Sequence, residues 1–341
     1  MRHKQILLLT FFFILGLSGY SQSEKDDLKK AEKAEKKEEY TTAYSWYKKA
    51  GTQAAWLAAG ELMYLELLPK DFDFKEIYDR LLPLAEGGDH KAQRYIGLMY
   101  REGYYVGKST VKAGEWFEKA AADGDKIAQN DLAWEYSEQK RYEEAFRYFQ
   151  LSAEQGFAPG ENNLAWFYNN GLGVDQDLKK AEEWYKRAGK QGNLEAINNL
   201  GGLYQKDYHD NKKAFDQFLK AAKKGLKNAQ RNVALCYLSG EVVGYNSGEG
   251  IKWMTKAAEQ GLDKAQLFLA KKYLSEKDDS RAAYWFEKAA ENDMVEAQFY
   301  IAMMYYSGTG VERNHEKAAY WWEKAAEQGD ERAKKNLRLF D

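Results

Sequence analysis

The sequence predicts an all-α protein, a solenoid of stacked antiparallel helix pairs. Three observations carry that prediction. One stretch keeps returning: Ala318-Ala319-Tyr320-Trp321-Trp322-Glu323-Lys324-Ala325-Ala326-Glu327-Gln328-Gly329 has close copies at 113–124 and 282–293. Looser copies occupy 145–156, 181–192, 214–225 and 250–261. Each copy follows a second recurring pattern, a small residue with another small residue five later and a Tyr eight later. It runs from Ala92, Gly97 and Tyr100 to Ala297, Ala302 and Tyr305. Finally, a single helix pair cannot bury both of its faces, so pairs repeated at fixed spacing must stack.

Composition agrees. The chain has 341 residues, 44% hydrophobic and 30% charged, with only three prolines, which suits an ordered helical protein. Its 51 basic and 53 acidic residues leave no basic field for nucleic acid or anionic lipid. Cys236 is the only cysteine, so no intrachain disulfide can form. It reads as a buried, inert thiol on a helix, because a reactive one needs an exposed electropositive setting.

Taken in order, the chain opens on Arg2, His3 and Lys4, followed by an apolar run from Ile6 to Leu17. That run is shorter than the roughly 20 residues needed to span a bilayer. Gly19 and Ser21 are small residues placed for cleavage before Gln22, so residues 1–21 read as a secretory signal peptide, with an uncleaved anchor as the second reading. No cysteine follows the run, so the expected destination is periplasmic or secreted, without a lipid anchor and without membrane insertion after cleavage. Residues 22–88 read as an N-terminal cap helix and a degenerate repeat. Lys25 to Ala50 is one charged stretch with a solvated start and a late apolar face at Tyr40, Ala43, Tyr44, Trp46 and Tyr47. A second helix spans Gln53 to Leu68, stopped by Pro69, and a third spans Lys75 to Glu86.

Residues 89–329 form seven strict units, each a helix A and a helix B, and 330–341 read as a C-terminal capping helix. Helix B should start at the N-caps Ser109, Asp177, Asp210, Asn246, Asp278 and Asn314, with Arg141 the uncertain boundary. Its tryptophans, Trp116, Trp184, Trp253, Trp285 and Trp321, are expected to fill the space between neighbouring pairs. The units end at Gly88, Gly124, Gly156, Gly192, Gly225, Gly261, Asp293 and Gly329, in steps that alternate between 36 and 32 or 33. The long units carry a glycine-bearing loop between helices A and B, so the larger connections are expected in alternate units.

The long unit reads A-x3-[LIV]-[GA]-x2-Y-x2-G-x-G-V-x3-[DN]-x2-K-A-x2-W-[YW]-x-[KR]-A-x3-G and fits 160–192 and 297–329, with Gly160 for the first Ala. This pattern resembles the Sel-1-like repeat, a relative of the tetratricopeptide repeat. The short units lack the Gly-x-Gly-Val loop, and Gln217 stands where the Trp is expected. The resemblance implies a right-handed superhelix with A helices lining its concave face. It also implies an adaptor role in assembling protein complexes. With one cysteine, the chain stands outside the disulfide-stapled members of that family.

No chemistry is expected. The glycine loops lack a following Lys-Ser/Thr and follow no strand, so they are not phosphate loops. Asp175-Gln176-Asp177 lacks the further ligands of a calcium loop. The four histidines are scattered and form no zinc motif, and no nucleophile elbow appears. No cofactor, metal or catalytic residue is predicted.

The informative residues lie two and six places after the opening small residue of helix A, one helical turn apart on one face. Arg94, Asn130, Trp134, Asn162, Trp166, Asn198 and Arg231 form a stripe of amides, guanidiniums and indoles that, on the geometry the resemblance implies, faces the groove. Amides beside Trp suit a peptide backbone, which makes a protein or peptide the expected partner. They also suit a sugar ring, which makes envelope polysaccharide or peptidoglycan the second reading and an enzyme the third. The competing explanation is that Trp134 and Trp166 merely pack against the next unit. Asn163, Asn199 and Asn232, one place further on, read as structural bonds between neighbouring helices.

Overall fold

The computed structural model describes residues 19–69 and 71–338; of the leader read at residues 1–21, residues 1–18 lie outside them. The described residues form nineteen α-helices and no strand, and the chain divides into two compact units at Gln191/Gly192.

The first unit opens with α1 (Gln22–Glu35), α2 (Tyr40–Ala50), α3 (Gln53–Tyr64) and α4 (Lys75–Glu86). A helices α5 (His90–Glu102), α7 (Lys126–Glu138) and α9 (Ala158–Asn170) then alternate with B helices α6 (Thr110–Ala122), α8 (Tyr142–Glu154) and α10 (Leu178–Lys190). In the second unit the A helices are α11 (Leu194–Lys206), α13 (Lys227–Ser239), α15 (Asp263–Ser275) and α17 (Val295–Ser307). Their partners are α12 (Asn211–Lys223), α14 (Ser247–Glu259), α16 (Asp279–Glu291) and α18 (His315–Glu327), and α19 (Glu331–Leu337) closes the described chain.

Two expectations for the N-terminal region are corrected. The charged stretch from Lys25 to Ala50 is a helix pair, reversed at Glu38, whose φ is 61°. Its start is packed, with Leu28, Ala31 and Ala34 buried, because these small apolar residues recur every third place beneath a charged exterior. Asp27 is buried with them, and Lys30 and Lys49 pair with it at 3.3 and 3.4 Å. The next helix ends at Tyr64, before Pro69.

The capping expectation holds. Ser109, Asp177, Asp210, Asn246, Asp278 and Asn314 each accept a backbone N–H three residues on, at 2.9–3.3 Å. Arg141 makes no such bond. Each bond satisfies one donor that a helix start would otherwise leave bare.

Core filling differs from the expectation. The fully buried residue of helix B is the one after the tryptophan position: Phe117, Phe149, Tyr185, Phe218, Met254, Phe286 and Trp322. Trp253 and Trp285 are also buried, but Trp116, Trp184 and Trp321 are only half-buried. The small residue in mid-helix A makes room for this aromatic. A Cβ added at Gly97 would lie 2.7 Å from the Phe117 ring.

A glutamine ladder ties the pairs together. Gln93, Gln129, Gln230, Gln266 and Gln298 each donate to a carbonyl eight residues back, near the end of the preceding helix B, at 3.0–3.4 Å. In return, the last side chain of the same pair's helix B donates to that glutamine's Oε1. Gln155 does so to Gln129, Gln260 to Gln230, Asn292 to Gln266 and Gln328 to Gln298, at 2.7–3.0 Å. One buried amide thereby joins three helices, adding a second donor to a carbonyl that the backbone N–H three residues on already reaches.

Candidate functional site

The seven stripe residues fall into two groups. Arg94, Asn130, Trp134, Asn162 and Trp166 lie on successive A helices of the first unit, whereas Asn198 and Arg231 belong to the second. In the first unit the A-helix face lies on the inside of the helix row. The Tyr64 hydroxyl of α3 reaches past α5 to the Asp131 carboxylate of α7, at 3.2 Å and 67 residues away in sequence. Helices two pairs apart approach so closely only on the inner side of a curved row.

Arg94 is 2% exposed. Its guanidinium lies between the rings of Tyr64 and Tyr95, 4.6 and 4.5 Å from their centroids. Nη2 is 3.4 Å from the Glu61 carboxylate and Nε is 3.6 Å from that of Asp125. The Tyr95 hydroxyl donates to the same Glu61 carboxylate. Asp125 also caps α7, accepting from Ile127 and Ala128, and meets the His90 ring at 2.9 Å. Burial pushes its carboxyl up, but Arg94, those N–H donors and His90 together hold it below the usual range. Arg94 is therefore a buried keystone. Asn130 is buried as well and accepts from Asn163 at 2.8 Å, while Asn162 donates to Asn163 at 3.2 Å. In the second unit Asn232 donates to Asn198 at 2.9 Å. Asn163 and Asn232 thus form the interhelical bonds read from the sequence. Arg231 is half-buried.

Trp134 and Trp166 are 40% and 39% exposed. Trp134 sets its ring edge-on to Phe149 at 5.7 Å, and Trp166 does so to Phe167 at 5.6 Å. Each indole is anchored on one side and open on the other. At the same place in the second unit Leu235 and Met303 are exposed.

Sequence reasoning missed two residues of α7. Asp131 and Glu135 are buried at positions that elsewhere hold mostly apolar residues or Asn: Tyr95, Asn163 and Tyr300 for the first, Met99, Phe167, Leu203 and Met304 for the second. Arg101 of α5 bonds Glu102 at 3.0 Å and lies 3.7 Å from Asp131. Burial raises the carboxyls of both Asp131 and Glu135 above the usual range, and Arg101 offsets only part of that. Glu135 is 8% exposed, and among the described residues no hydrogen bond or ion pair serves its carboxylate. A position-by-position comparison of the units would have exposed both acids.

Elsewhere Cys236 is buried, and burial pushes its thiol up. Among the described residues, no three His, Cys, Asp or Glu gather as a metal site, and no helix is long and apolar enough to cross a membrane.

Helix pairs repeated at this spacing, with small residues at the A–B contact, define a Sel1-type helical repeat protein. The Sel1 repeat pattern matches residues 36–54, 90–125, 126–157, 158–193, 194–226, 227–262, 263–294 and 295–330, and the chain belongs to this family. The short match at 36–54 covers α2 and so falls in the eroded region. A Sel1 repeat protein from Oxalobacter formigenes is similar in structure, with TM-score 0.60, 25% identity and coverage of 94% of this chain and 95% of its own. A protective antigen of uropathogenic Escherichia coli displaying an SLR fold is 32% identical, with TM-score 0.53, over 86% of this chain and 66% of its own. The DAP3-binding cell death enhancer 1 of Rattus norvegicus is 34% identical over 93 residues, 27% of this chain. The match spans only 18% of that rat protein's length. Sel1 repeat proteins generally serve as scaffolds for protein interaction and are typically non-catalytic.

Proposed function

We propose that this protein is an exported adaptor that binds a protein or peptide segment along the A-helix face of its first unit and performs no chemistry. One observation carries the reading. Trp134 and Trp166 occupy the same place in successive pairs, each braced by a phenylalanine and each open to solvent. A rigid, half-open aromatic costs little entropy on binding and buries a large area, which is how interface anchors work. Arg94 and Asn130 act beneath this surface, holding the helices that present the indoles.

Export rests on the basic start, the apolar run from Ile6 to Leu17 and the small residues Gly19 and Ser21. Cleavage before Gln22 would remove Ser21, whose hydroxyl caps α1, so the mature chain would begin at the first residue of that helix.

The test is capture of partners from the envelope fraction of the producing cell, with and without Trp134→Ala and Trp166→Ala. A protein captured by the parent chain and lost with both changes supports the reading, provided that the melting temperature holds. Capture unaffected by the double change overturns the A-helix face as the site. Retention on a peptidoglycan or polysaccharide column, with no protein captured, would favour the glycan reading, which the paired indoles and nearby amides also suit. The intact mass of the recovered chain reports whether the leader is removed at Gln22.

A further inference from the structure

We propose that the turn from α12 into α13 is a docking site for an acidic segment of a partner protein, with Lys223, Lys224, Lys227 and Arg231 as its counter-charges. The site lies in the second unit, so it goes beyond the adaptor reading of the first unit and does not depend on the tryptophans there.

Three observations converge. The first is a local excess of charge that the balance of the whole chain conceals. From Gln217 to Gly240 there is no Asp or Glu, while Lys220, Lys223, Lys224, Lys227 and Arg231 all fall in that stretch. The later turns at the same edge of the second unit are acidic. Glu259 and Asp263 flank the one between α14 and α15, Glu291 and Asp293 the one between α16 and α17, and Glu327 and Asp330 the one between α18 and α19.

The second is that these cations have no partner in the fold. In other pairs the lysine at the place of Lys220 is engaged. Lys119 and Lys256 cover Trp116 and Trp253 at 4.0 and 4.4 Å, and Lys288 and Lys324 meet the glutamate three residues on at 2.7 and 3.4 Å. In α12 Gln217 stands in the tryptophan's place and Lys223 in that glutamate's, so Lys220 has neither ring nor carboxylate. Among the described residues none of the five cations makes an ion pair. Lysines at the end of α12 suit the helix dipole, but Lys227 opens α13, where the dipole opposes a cation and Leu226 supplies no side-chain cap. Like charges one helical turn apart destabilise, so the fold alone does not account for this arrangement.

The third is placement. Lys223 and Lys224 are exposed, and Lys227 and Arg231 are half-buried. The turn is closed by the Leu226 N–H on the Ala221 carbonyl at 3.2 Å, which keeps Lys223, Lys224 and Lys227 at one edge. Lys227 and Arg231, four residues apart, share a face of α13 and carry the charge from the turn along that helix. A guanidinium there offers a carboxylate two parallel donors. The extent of the patch selects the partner. A flat anionic membrane would also meet the acidic turns further along the edge, whereas a short acidic segment meets cations only.

The test uses the full chain and two short unstructured peptides, identical except that several glutamates in one are glutamines in the other, with binding read by calorimetry. The glutamate peptide should bind at least about tenfold more tightly and weaken as salt is raised, as charge-assisted bonds at a surface do. Lys227→Gln with Arg231→Gln, and separately Lys223→Gln with Lys224→Gln, should each remove most of that preference. Neither pair of changes should lower the melting temperature, because neither ends an ion pair, and the second pair serves if the first does not fold. Equal binding of the two peptides, no binding of either, or a preference that survives both pairs of changes would overturn the inference. A preference lost instead with Trp134→Ala and Trp166→Ala would move the acidic segment to the first unit and overturn it as well. Vesicles of phosphatidylglycerol, compared with phosphatidylcholine, supply the last arm. Binding to the anionic vesicles that the lysine and arginine changes abolish, with no preference between the peptides, would assign the turn to a membrane surface and overturn the protein segment.

Discussion

At the residue scale the glutamine ladder contains a built-in comparison. Where helix B ends in Gln or Asn, that side chain donates to the buried glutamine of its own pair. Glu161 replaces the glutamine in α9 and is served by Gln191 at 2.7 Å and Arg187 at 3.1 Å. Ile197 and Lys224 depart from the pattern together, an apolar residue needing no donor and a lysine with no acceptor to meet. The first strict pair is the exception. α6 ends at Asp123, a carboxylate with nothing to donate, and Gln93 Oε1 is enclosed without a partner. Asp123→Gln should therefore stabilise the protein by about 1 kcal/mol, the usual worth of satisfying a buried acceptor. Urea unfolding would measure it, and an unchanged midpoint would count against the ladder as an energetic element. This pattern was open to view in the sequence as Ala-Gln at the start of helix A and Gln-Gly at the end of helix B. It went unread because a single Gln carries no signal until its partner is known.

At the element scale the alternation of long and short units acquires a physical cause. The long connections, 103–109, 171–177, 240–246 and 308–314, alternate with the short ones, 139–141, 207–210 and 276–278. Two of the long loops press on the first turn of helix B in the preceding short unit. A Cβ at Gly173 would lie 2.3 Å from the Tyr142 carbonyl oxygen, and one at Gly310 would lie 2.1 Å from that of Asp279. Only glycine fits, both for its positive φ and for the approach of one backbone to another. The loop at 103–109 reaches back instead through aromatic rings, with Tyr104 stacked on Phe74 at 4.6 Å and Tyr105 against Tyr78 at 5.5 Å. Gly173→Ala and Gly310→Ala should each cost about 2–3 kcal/mol, from overpacking added to left-handed strain. Gly192→Ala, with open space around it, should cost only the strain. Thermal unfolding of the three variants would separate the two contributions, and equal losses would refute the close-packing account.

At the scale of the whole molecule, contacts within each unit run mostly between neighbouring elements, so the stability of each unit should behave as a sum of local terms. Phe149 shows how such a term is built. It lies fully buried on α8, with Trp134 of α7 at 5.7 Å and Phe167 of α9 at 4.9 Å. Phe149→Ala should cost about 3–5 kcal/mol. Its effect on hydrogen exchange should be confined to α7, α8 and α9, leaving α1 and α2 protected as before. Loss of protection throughout the first unit would instead mark it as one cooperative block.

From residue 89 onward, the helix pairs, their boundaries at the capping residues and the alternation of connection lengths are legible in the sequence. Each of these is encoded locally, by a side chain within a few residues of the backbone group it serves, and repetition made the weak signals add. What tertiary structure alone decided is which side of each helix meets which neighbour. Arg94 and Trp134 lie on the same face of their helices, yet one is sealed between two tyrosines and the other stands open. The first faces Glu61 and Tyr64 across α3, an outcome of curvature and of the eroded repeat before it. In the sequence Glu135 is one more helical carboxylate among many. Only the packing of α5 against α7 turned it into a buried charge without a partner, because burial is a property of the assembled row of helices.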